Sequence, residues 1–171
     1  IAVFATGGIG GVHRGAETTL DISADLDELS RTNVCVVCAG VKSILNIGLT
    51  LEYLETKGVP IIGYKTSEMP AFYSTKSGFN VDYRIDAADD IADILKTKWD
   101  LSINGGVLVT NPIPVADELE LSVMNEAINQ AIIEAENEKI TGKKITPYLL
   151  SKVNEITKGK SLNANIKLIQ N

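Results

Sequence analysis

Apolar runs alternate with helical patterns along this chain, and that alternation limits the possible folds more than any other feature. The segment NVCVVCAG is continuously apolar, as strands are when a parallel sheet buries both of their faces. An amphipathic helix is predicted next, over SILNIGLTLEYLETKG with Gly58 just after its end, and VPIIGY then predicts a second strand. A strand, a helix and another strand in this order indicate an α/β fold.

The same alternation continues on both sides of these segments. Residues 1–6 predict a strand, and residues 25–31 predict a short helix that the pair Asp25 and Glu28 begins as a capping box. Further on, VDYRI predicts an edge strand, DAADDIADILKTKWD a helix and INGGVLVTNP a strand. Three more helices are predicted over residues 119–139, TPYLLSKVNEITKG and SLNANIKLIQ. We therefore expect a three-layer α/β/α sandwich with a largely parallel or mixed sheet and a helical C-terminal flank.

Composition narrows the class of protein. A length of 171 residues with 44% hydrophobic content suits one α/β domain over residues 1–171. A net charge of -6 argues against a nucleic-acid partner, because phosphate backbones bind clustered basic side chains. No apolar run approaches the roughly 18 residues that span a bilayer, and no signal peptide is recognisable, so we expect a cytoplasmic protein, with a peroxisome or mitochondrion left open. Since Ile1 already lies in a predicted strand, we expect a longer catalytic domain of which this is the C-terminal part.

The glycine-rich segment FATGGIGGVHRGAETTLDISADL does not match the known dinucleotide-binding or nucleotide-binding loops. A dinucleotide-binding loop needs glycines at i, i+2 and i+5, but counting from Gly8 through Gly10 the third position is His13. A P-loop is excluded because no Gly-Lys-Ser/Thr ends the run. The glycines therefore predict either a turn with several positive φ angles or a ligand-binding loop of another kind.

Polar residues follow this loop at the carboxyl end of the first predicted strand, where open α/β sheets bind ligands. They are His13, Arg14, Glu17, Asp21, Ser23 and Asp25. One carboxylate with several waters suits a hard ion such as Mg²⁺ or Mn²⁺. Asp25 with Glu28 also fits a helix cap, so Asp21 is the better metal candidate.

Lys42 directly follows the buried strand, in CAGVKSIL, and the predicted helix begins there. Burial and the positive end of a helix both disfavour the charged ammonium, which would leave a free amine able to attack a carbonyl group. The alternative, equally compatible with the sequence, is a lysine that extends to solvent from the first turn of a helix.

Cys35 and Cys38 form a Cys-x-x-Cys pattern that we interpret as structural. Residues three apart in a strand point to opposite faces of the sheet, so the two sulfurs cannot share a metal ion or form a disulfide. We expect both to be buried, reduced thiols.

The motifs GGIGGVHRGAETTLDISADL, VVCAGVKSIL, NGGVLVTNPIP and SLNANIKLI occur here in this order, and together they resemble the pseudouridine-5'-phosphate glycosidases of the indigoidine synthase A family. The resemblance runs nearly from end to end. It implies reversible cleavage of the C–C glycosidic bond of pseudouridine 5'-phosphate to uracil and ribose 5-phosphate, as a carbon-oxygen lyase. It also implies a divalent metal, usually Mn²⁺, and a homotrimer.

Carried over by motif, the resemblance implies roles for individual residues. Lys42 matches the lysine that forms a Schiff base with ring-opened ribose, and Asp21 matches the metal-binding aspartate. The substrate-binding tripeptide falls on Ser23, Ala24 and Asp25, and an asparagine that contacts the base falls on Asn165. His13 and Arg14 belong to the same motif, as groups that shape the site or face the phosphate.

Two departures from the family pattern matter. The resemblance places a general-acid glutamate and a second substrate lysine in a segment that precedes these residues, so we expect a companion chain or upstream segment to complete the site. Asn46 stands where the family pattern SILDIG has aspartate, one predicted helical turn after Lys42.

The alternative function is a sugar-phosphate-binding α/β module without catalysis. We reject a nicotinamide-dependent oxidoreductase because the glycine spacing does not match a dinucleotide-binding loop.

Overall fold

A computed structural model describes the backbone of residues 1–171 and all side chains except that of Lys143. The strands are β1 (Val3–Ala5), β2 (Val12–His13), β3 (Cys35–Cys38), β4 (Leu45–Asn46), β5 (Ile61–Tyr64), β6 (Tyr83–Ile85) and β7 (Val107–Thr110). Five of them form one sheet in the order β1-β3-β7-β5-β6, and every neighbouring pair is parallel. Strands β2 and β4 form a separate antiparallel ribbon. The sequence had left a mixed main sheet open, and the structure shows a parallel one.

The helices are α1 (Ala16–Thr19), α2 (Ala24–Arg31), α3 (Ile47–Thr56), α4 (Ala88–Asp100), α5 (Leu121–Asn137), α6 (Ile145–Ile156) and α7 (Lys160–Gln170). Helix α4 covers one face of the sheet through Ile91 and Leu95. On the other face α2 and α3 contribute Leu26, Leu29 and Leu54 to a larger core, which also takes in α5, α6 and α7. This confirms the three-layer α/β/α architecture with a helical C-terminal flank. Among the residues that the structure describes, no helix is long and apolar enough to cross a membrane.

The two cysteines of β3 confirm the prediction that they face opposite sides of the sheet. Cys35 packs with Ile62 and Ile91 on the α4 side, and Cys38 packs in the larger core. Both are free thiols. Burial raises the pKa of each to about 11, so both remain protonated at neutral pH.

Two predicted helix ends test local sequence signals. Gly58 follows the end of α3 with φ 68°, as predicted for a glycine just beyond a helix. The start of α3 was predicted wrongly, because residues 43–46 are not helical and Asn46 caps the helix by accepting a hydrogen bond from the Leu49 N–H at 3.0 Å.

Candidate functional site

The glycine loop (residues 7–11) and the lysine loop (residues 39–44) lie side by side at the carboxyl end of the parallel sheet. Backbone hydrogen bonds join them. The Ala39 N–H donates to the Gly7 carbonyl at 2.9 Å, the Ile9 N–H to the Gly40 carbonyl at 3.1 Å, and the Lys42 N–H to the Ile9 carbonyl at 3.1 Å. Main-chain contacts therefore fix the position of Lys42 beside the glycine loop.

Close packing explains the glycines of the glycine loop. A Cβ atom on Gly8 would lie 2.5 Å from the Phe72 ring, one on Gly10 would lie 2.1 Å from Ser23 Oγ, and one on Gly11 would lie 2.5 Å from Thr50 Oγ1. None of these glycines has a positive φ, so the alternative of a turn with several positive φ angles is wrong. The loop needs glycine because other parts of the chain pack directly against its backbone.

Ser23 and Asp25 connect the glycine loop to the start of α2. Ser23 caps α2 by accepting a hydrogen bond from the Asp25 N–H at 3.3 Å. The carboxylate of Asp25 accepts one from the Gly10 N–H at 2.7 Å. The predicted capping box of Asp25 and Glu28 is therefore wrong, because the serine hydroxyl takes the cap position and the Asp25 carboxylate turns to the glycine loop. Ala24 is exposed in the first turn of α2.

Lys42 and Asp25 line the same groove, which we call the lysine groove. It has a volume of about 550 Å³ and is also lined by Thr6 and Gly8. Glu28 and Thr32 line it as well. Apolar side chains form the rest of its wall, including Phe4, Leu29, Val34 and Val36. One amine, two carboxylates and two hydroxyls thus line one space that is partly apolar, an arrangement typical of small-molecule sites.

The environment of Lys42 differs from the sequence prediction in one respect. Lys42 lies in a loop and not in the first turn of α3, because α3 begins at Ile47. Asn46 shares no helix face with Lys42 either, because α3 begins after it. Asparagine and aspartate are equally good helix caps, so this departure from the family pattern keeps the local structure intact.

Asp21 and His13 line a second groove, which we call the aspartate groove. It has a volume of about 680 Å³ and lies against α5 and α6. The backbone N–H of His13 donates to the Asp21 carbonyl at 3.0 Å, which holds the two residues together. Lys42 and Asp25 do not line this groove, so the structure divides these four predicted site residues between two grooves. Ser23, Ala24 and Asn165 line neither groove.

The donor set around Asp21 fits a metal held mainly by water. The structure gives the partly exposed Asp21 carboxylate no hydrogen bond or ion pair to any described side chain, so its oxygens are free to coordinate. Across the side chains that the structure describes, no three His, Cys, Asp or Glu residues come together as a metal site. One carboxylate with several waters suits Mg²⁺ or Mn²⁺ and does not suit a structural zinc ion.

Asn165 reaches the glycine loop from the helical flank. A Cβ atom on Gly7 would lie 3.1 Å from Asn165 Oδ1 and 3.0 Å from Leu168 Cδ1, so α7 packs directly on the loop. Arg14 points elsewhere, because its guanidinium donates to Asn129 Oδ1 at 3.0 Å and to the Ser43 carbonyl at 3.4 Å. The structure therefore brings Asn165 to the glycine loop and directs Arg14 away from the lysine groove.

Sequence reasoning missed Phe72 and Thr6. The Phe72 backbone has φ 65°, a strained value for a bulky residue, and its N–H donates to the Ala39 carbonyl at 3.1 Å while its ring covers Gly8. Phe72 therefore holds the lysine loop and the glycine loop at once. Its only sequence signal is an aromatic residue in the loop MPAFYS. Thr6 could have been found from its place at the end of the first predicted strand.

Comparison with known proteins matches the whole chain to one family. The family model described as "Indigoidine synthase A like protein" matches residues 1–171. The chain belongs to the indigoidine synthase A-like family.

Individual members of this family show strong similarity to the chain. Over 171 residues it is 64% identical to the pseudouridine-5'-phosphate glycosidase of Geobacillus kaustophilus and 62% identical to that of Clostridium botulinum. Each match covers 100% of this chain but only 57% and 56% of those two proteins, so the chain spans little more than half of their length.

Two solved structures share the fold. A prealnumycin C-glycosynthase in complex with ribulose 5-phosphate is 38% identical with a TM-score of 0.92, covering 99% of this chain and 56% of that one. An indigoidine synthase A-like protein of Thermotoga maritima is 36% identical with a TM-score of 0.90, covering 99% of this chain and 55% of that one.

Proposed function

We propose that the full-length protein cleaves and forms the C–C glycosidic bond of pseudouridine 5'-phosphate, giving uracil and ribose 5-phosphate. The observation that carries this proposal is the lysine groove, in which Lys42 and Asp25 face one space beside the glycine loop. The names of the relatives support it, since two are pseudouridine-5'-phosphate glycosidases and one is a C-glycosynthase bound to a sugar phosphate.

The bond to be broken explains the need for a lysine. A carbon–carbon glycosidic bond has no leaving oxygen or nitrogen to protonate, so the two-carboxylate mechanism of ordinary glycosidases suits it poorly. In our proposal the Lys42 amine attacks C1 of the ribose, and the ring oxygen leaves C1 as a hydroxyl group. The nitrogen lone pair then forms an iminium as the C1–uracil bond breaks and the released carbon takes a proton. Water hydrolyses the iminium to ribose 5-phosphate and free Lys42.

Other residues bind and orient the substrate in this proposal. Asp25 is fixed by the Gly10 N–H, so its second oxygen is available to a sugar hydroxyl in the lysine groove. Ser23 and Ala24 complete the substrate-binding turn, and Asn165 contacts the base from α7. His13 shapes the aspartate groove. Each of these side chains binds or orients; only Lys42 forms a covalent bond.

Asp21 would hold a divalent cation, most suitably Mn²⁺, which would supply positive charge to orient the phosphate-bearing substrate. The general acid is proposed to come from the part of the full-length protein that lies outside these residues. A homotrimer, implied by the family resemblance, and a cytoplasmic location, expected from the sequence composition, complete the proposal as predictions.

Trapping of the imine tests this function directly. The full-length protein, loaded with Mn²⁺, is incubated with ribose 5-phosphate and uracil, reduced with borohydride and digested for mass spectrometry. We expect a gain of one reduced sugar phosphate on Lys42, absent from Lys42→Ala. The matched control is Lys96→Ala on the outside of α4, where the lysine pairs only with Asp100, and this variant should retain the adduct.

The second candidate function is a sugar-phosphate-binding module without catalysis. It predicts binding of ribose 5-phosphate without a covalent adduct in folded, metal-loaded protein. If calorimetry shows that the wild-type protein binds ribose 5-phosphate but borohydride never traps an adduct at Lys42, the binding module is the better interpretation.

A further inference from the structure

The side chain of Thr50 on α3 packs against the glycine loop. Thr50 is fully buried and lines neither the lysine groove nor the aspartate groove. A Cβ atom on Gly11 would lie 2.5 Å from Thr50 Oγ1. Threonine hydroxyls in helices often donate to the carbonyl four residues earlier, and Thr50 donates to the Asn46 carbonyl at 2.6 Å. The same hydroxyl makes a second hydrogen bond, which helix geometry does not require.

This second bond reaches the residue that follows the glycine loop. The Val12 N–H donates to Thr50 Oγ1 at 2.9 Å. Val12 belongs to β2 and Asn46 to β4, and these two residues pair in the antiparallel ribbon. Strand β4 directly follows the lysine loop. The Thr50 hydroxyl therefore joins the ends of the two loops, because it bonds to one residue of each strand.

The peptide group between Gly11 and Val12 is held from two sides. Its carbonyl accepts a hydrogen bond from the Ser23 N–H at 3.0 Å, and its N–H donates to Thr50. The end of the glycine loop is thus fixed between the cap of α2 and the first turn of α3.

The residues just before this peptide group hold the two polar groups of the lysine groove. The Gly10 N–H donates to the Asp25 carboxylate at 2.7 Å, and the Ile9 carbonyl accepts from the Lys42 N–H at 3.1 Å. A shift of the peptide group would displace both bonds, because they lie within the next few residues of the same loop. Thr50 therefore acts on the groove through the glycine loop.

We propose that Thr50 is a positioning residue, whose hydroxyl holds the glycine and lysine loops together so that Lys42 and Asp25 face the substrate in one geometry. This inference rests on the proposed function, because the role is defined by imine formation at Lys42. Removing the hydroxyl takes a hydrogen-bond partner from the buried Val12 N–H, which favours a shift of the loop. A displacement of about 1 Å at a reacting group can slow a reaction about 100-fold.

Borohydride trapping of the full-length, metal-loaded protein over a range of ribose 5-phosphate concentrations tests this role. In Thr50→Val we expect the limiting rate of trapping at Lys42 to fall at least about 10-fold, by more than the half-saturating concentration rises. Thr50→Ser keeps the hydroxyl and should restore most of the rate. If Thr50→Val does not fold, Thr50→Ala removes the same hydroxyl with a smaller side chain.

Two controls separate positioning from a general loss of stability. Thr56→Val, at an exposed position of α3, removes a hydroxyl that donates to the Glu52 carbonyl at 2.9 Å. Val153→Ala removes buried volume from α6 at a position that lines neither groove. Both should be trapped at the wild-type rate well below Tm. The proposal is overturned if Thr50→Val is trapped at the wild-type rate, if Thr50→Ser is equally slow, or if Val153→Ala slows trapping as much.

Hydrogen exchange of backbone amides tests the same role without the reaction. In Thr50→Val the amides of Val12 and Lys42 should exchange at least about 10-fold faster than in the wild type, while the amides of α6 stay unchanged. Wild-type exchange at both amides would overturn the inference, whatever the trapping result. Faster exchange at both amides, together with a wild-type protein that is never trapped, would contradict the proposed function and keep the loop-holding role of Thr50.

Discussion

The lysine groove and the aspartate groove are built in different ways. In the lysine groove, backbone hydrogen bonds between the glycine and lysine loops fix Lys42 in place, and close-packed glycines leave little room for movement. The aspartate groove has residues 13–21 on one side and side chains of α5 and α6 on the other. The first groove therefore depends on main-chain geometry, and the second depends on how the helical flank packs.

The largest effect on stability and on imine formation is expected from Gly10→Ala, which disrupts the packing beside the lysine groove. The new methyl group would overlap Ser23 Oγ, at 2.1 Å, and crowd the Asp25 carboxylate, at 2.9 Å. We expect a loss of about 3 kcal/mol in the free energy of unfolding and at least about a 100-fold fall in the rate of imine formation. Urea unfolding and borohydride trapping measure the two effects.

Gly15→Ala is the matched control for this change. Gly15 has φ 81° but open space around its Cβ position, so alanine should cost only about 1 kcal/mol of backbone strain. A loss in Gly10→Ala no larger than the loss in Gly15→Ala would show that close packing against Ser23 does not explain the need for glycine at position 10.

The second prediction uses Leu149→Ala to test whether the aspartate groove can change without affecting the lysine groove. Leu149 lies on α6, is 2% exposed and lines the aspartate groove. The cavity left behind should lower the free energy of unfolding by about 2–3 kcal/mol. Trapping at Lys42, measured well below Tm, should stay at the wild-type rate because no side chain of α6 lines the lysine groove. Leu162→Ala, at an exposed position of α7, controls for the substitution itself; a fall in trapping with Leu149→Ala alone would mean that the grooves are coupled.

The third prediction concerns the metal. Asp21→Asn removes the only carboxylate proposed as a ligand, so Mn²⁺ affinity, measured by electron paramagnetic resonance, should fall about 10- to 100-fold. Stability without metal should stay within about 0.5 kcal/mol, because the Asp21 carboxylate has no partner among the described side chains. Glu17→Gln, an exposed carboxylate in α1, is the control. Unchanged Mn²⁺ binding in Asp21→Asn would remove Asp21 from the metal site.

The smallest effect is expected from Asn46→Asp, which restores the residue of the family pattern. Both side chains accept the hydrogen bond that caps α3, so the free energy of unfolding should change by less than about 0.5 kcal/mol. Trapping at Lys42 should also change little, because residues 42–46 are not helical. Asn46→Ala serves as the comparison and should cost about 1 kcal/mol. A large gain in trapping with Asn46→Asp would restore the prediction that this position orients Lys42.

Features that depend on neighbouring residues were predictable from the sequence. The buried strand β3, the glycine after α3 and the opposite orientation of Cys35 and Cys38 all follow from spacing within a few residues. The position of Lys42 after a buried strand at the carboxyl edge of the sheet was predictable for the same reason.

Features that depend on distant residues were not predictable. Gly8 is packed by Phe72 and Gly11 by Thr50, and neither pairing leaves a periodic signal in the sequence. The two helix starts were missed for a different reason, because more than one nearby polar side chain could serve as the cap. The Ser23 hydroxyl caps α2 in place of Asp25, and Asn46 caps α3, which therefore begins beyond Lys42. The aspartate groove, which Asp21 and His13 line, is completed by residues of α5 and α6, which come much later in the chain.

The backbone hydrogen bonds that join the glycine loop to the lysine loop have a consequence for protein engineering. Lys42 is positioned by main-chain bonds, while the groove wall is formed by side chains such as Phe4, Val34 and Val36. Those side chains can be replaced without removing any bond that positions the amine. If the proposed function holds, a library at these three positions should change which aglycone the groove accepts while the Lys42 backbone keeps its place.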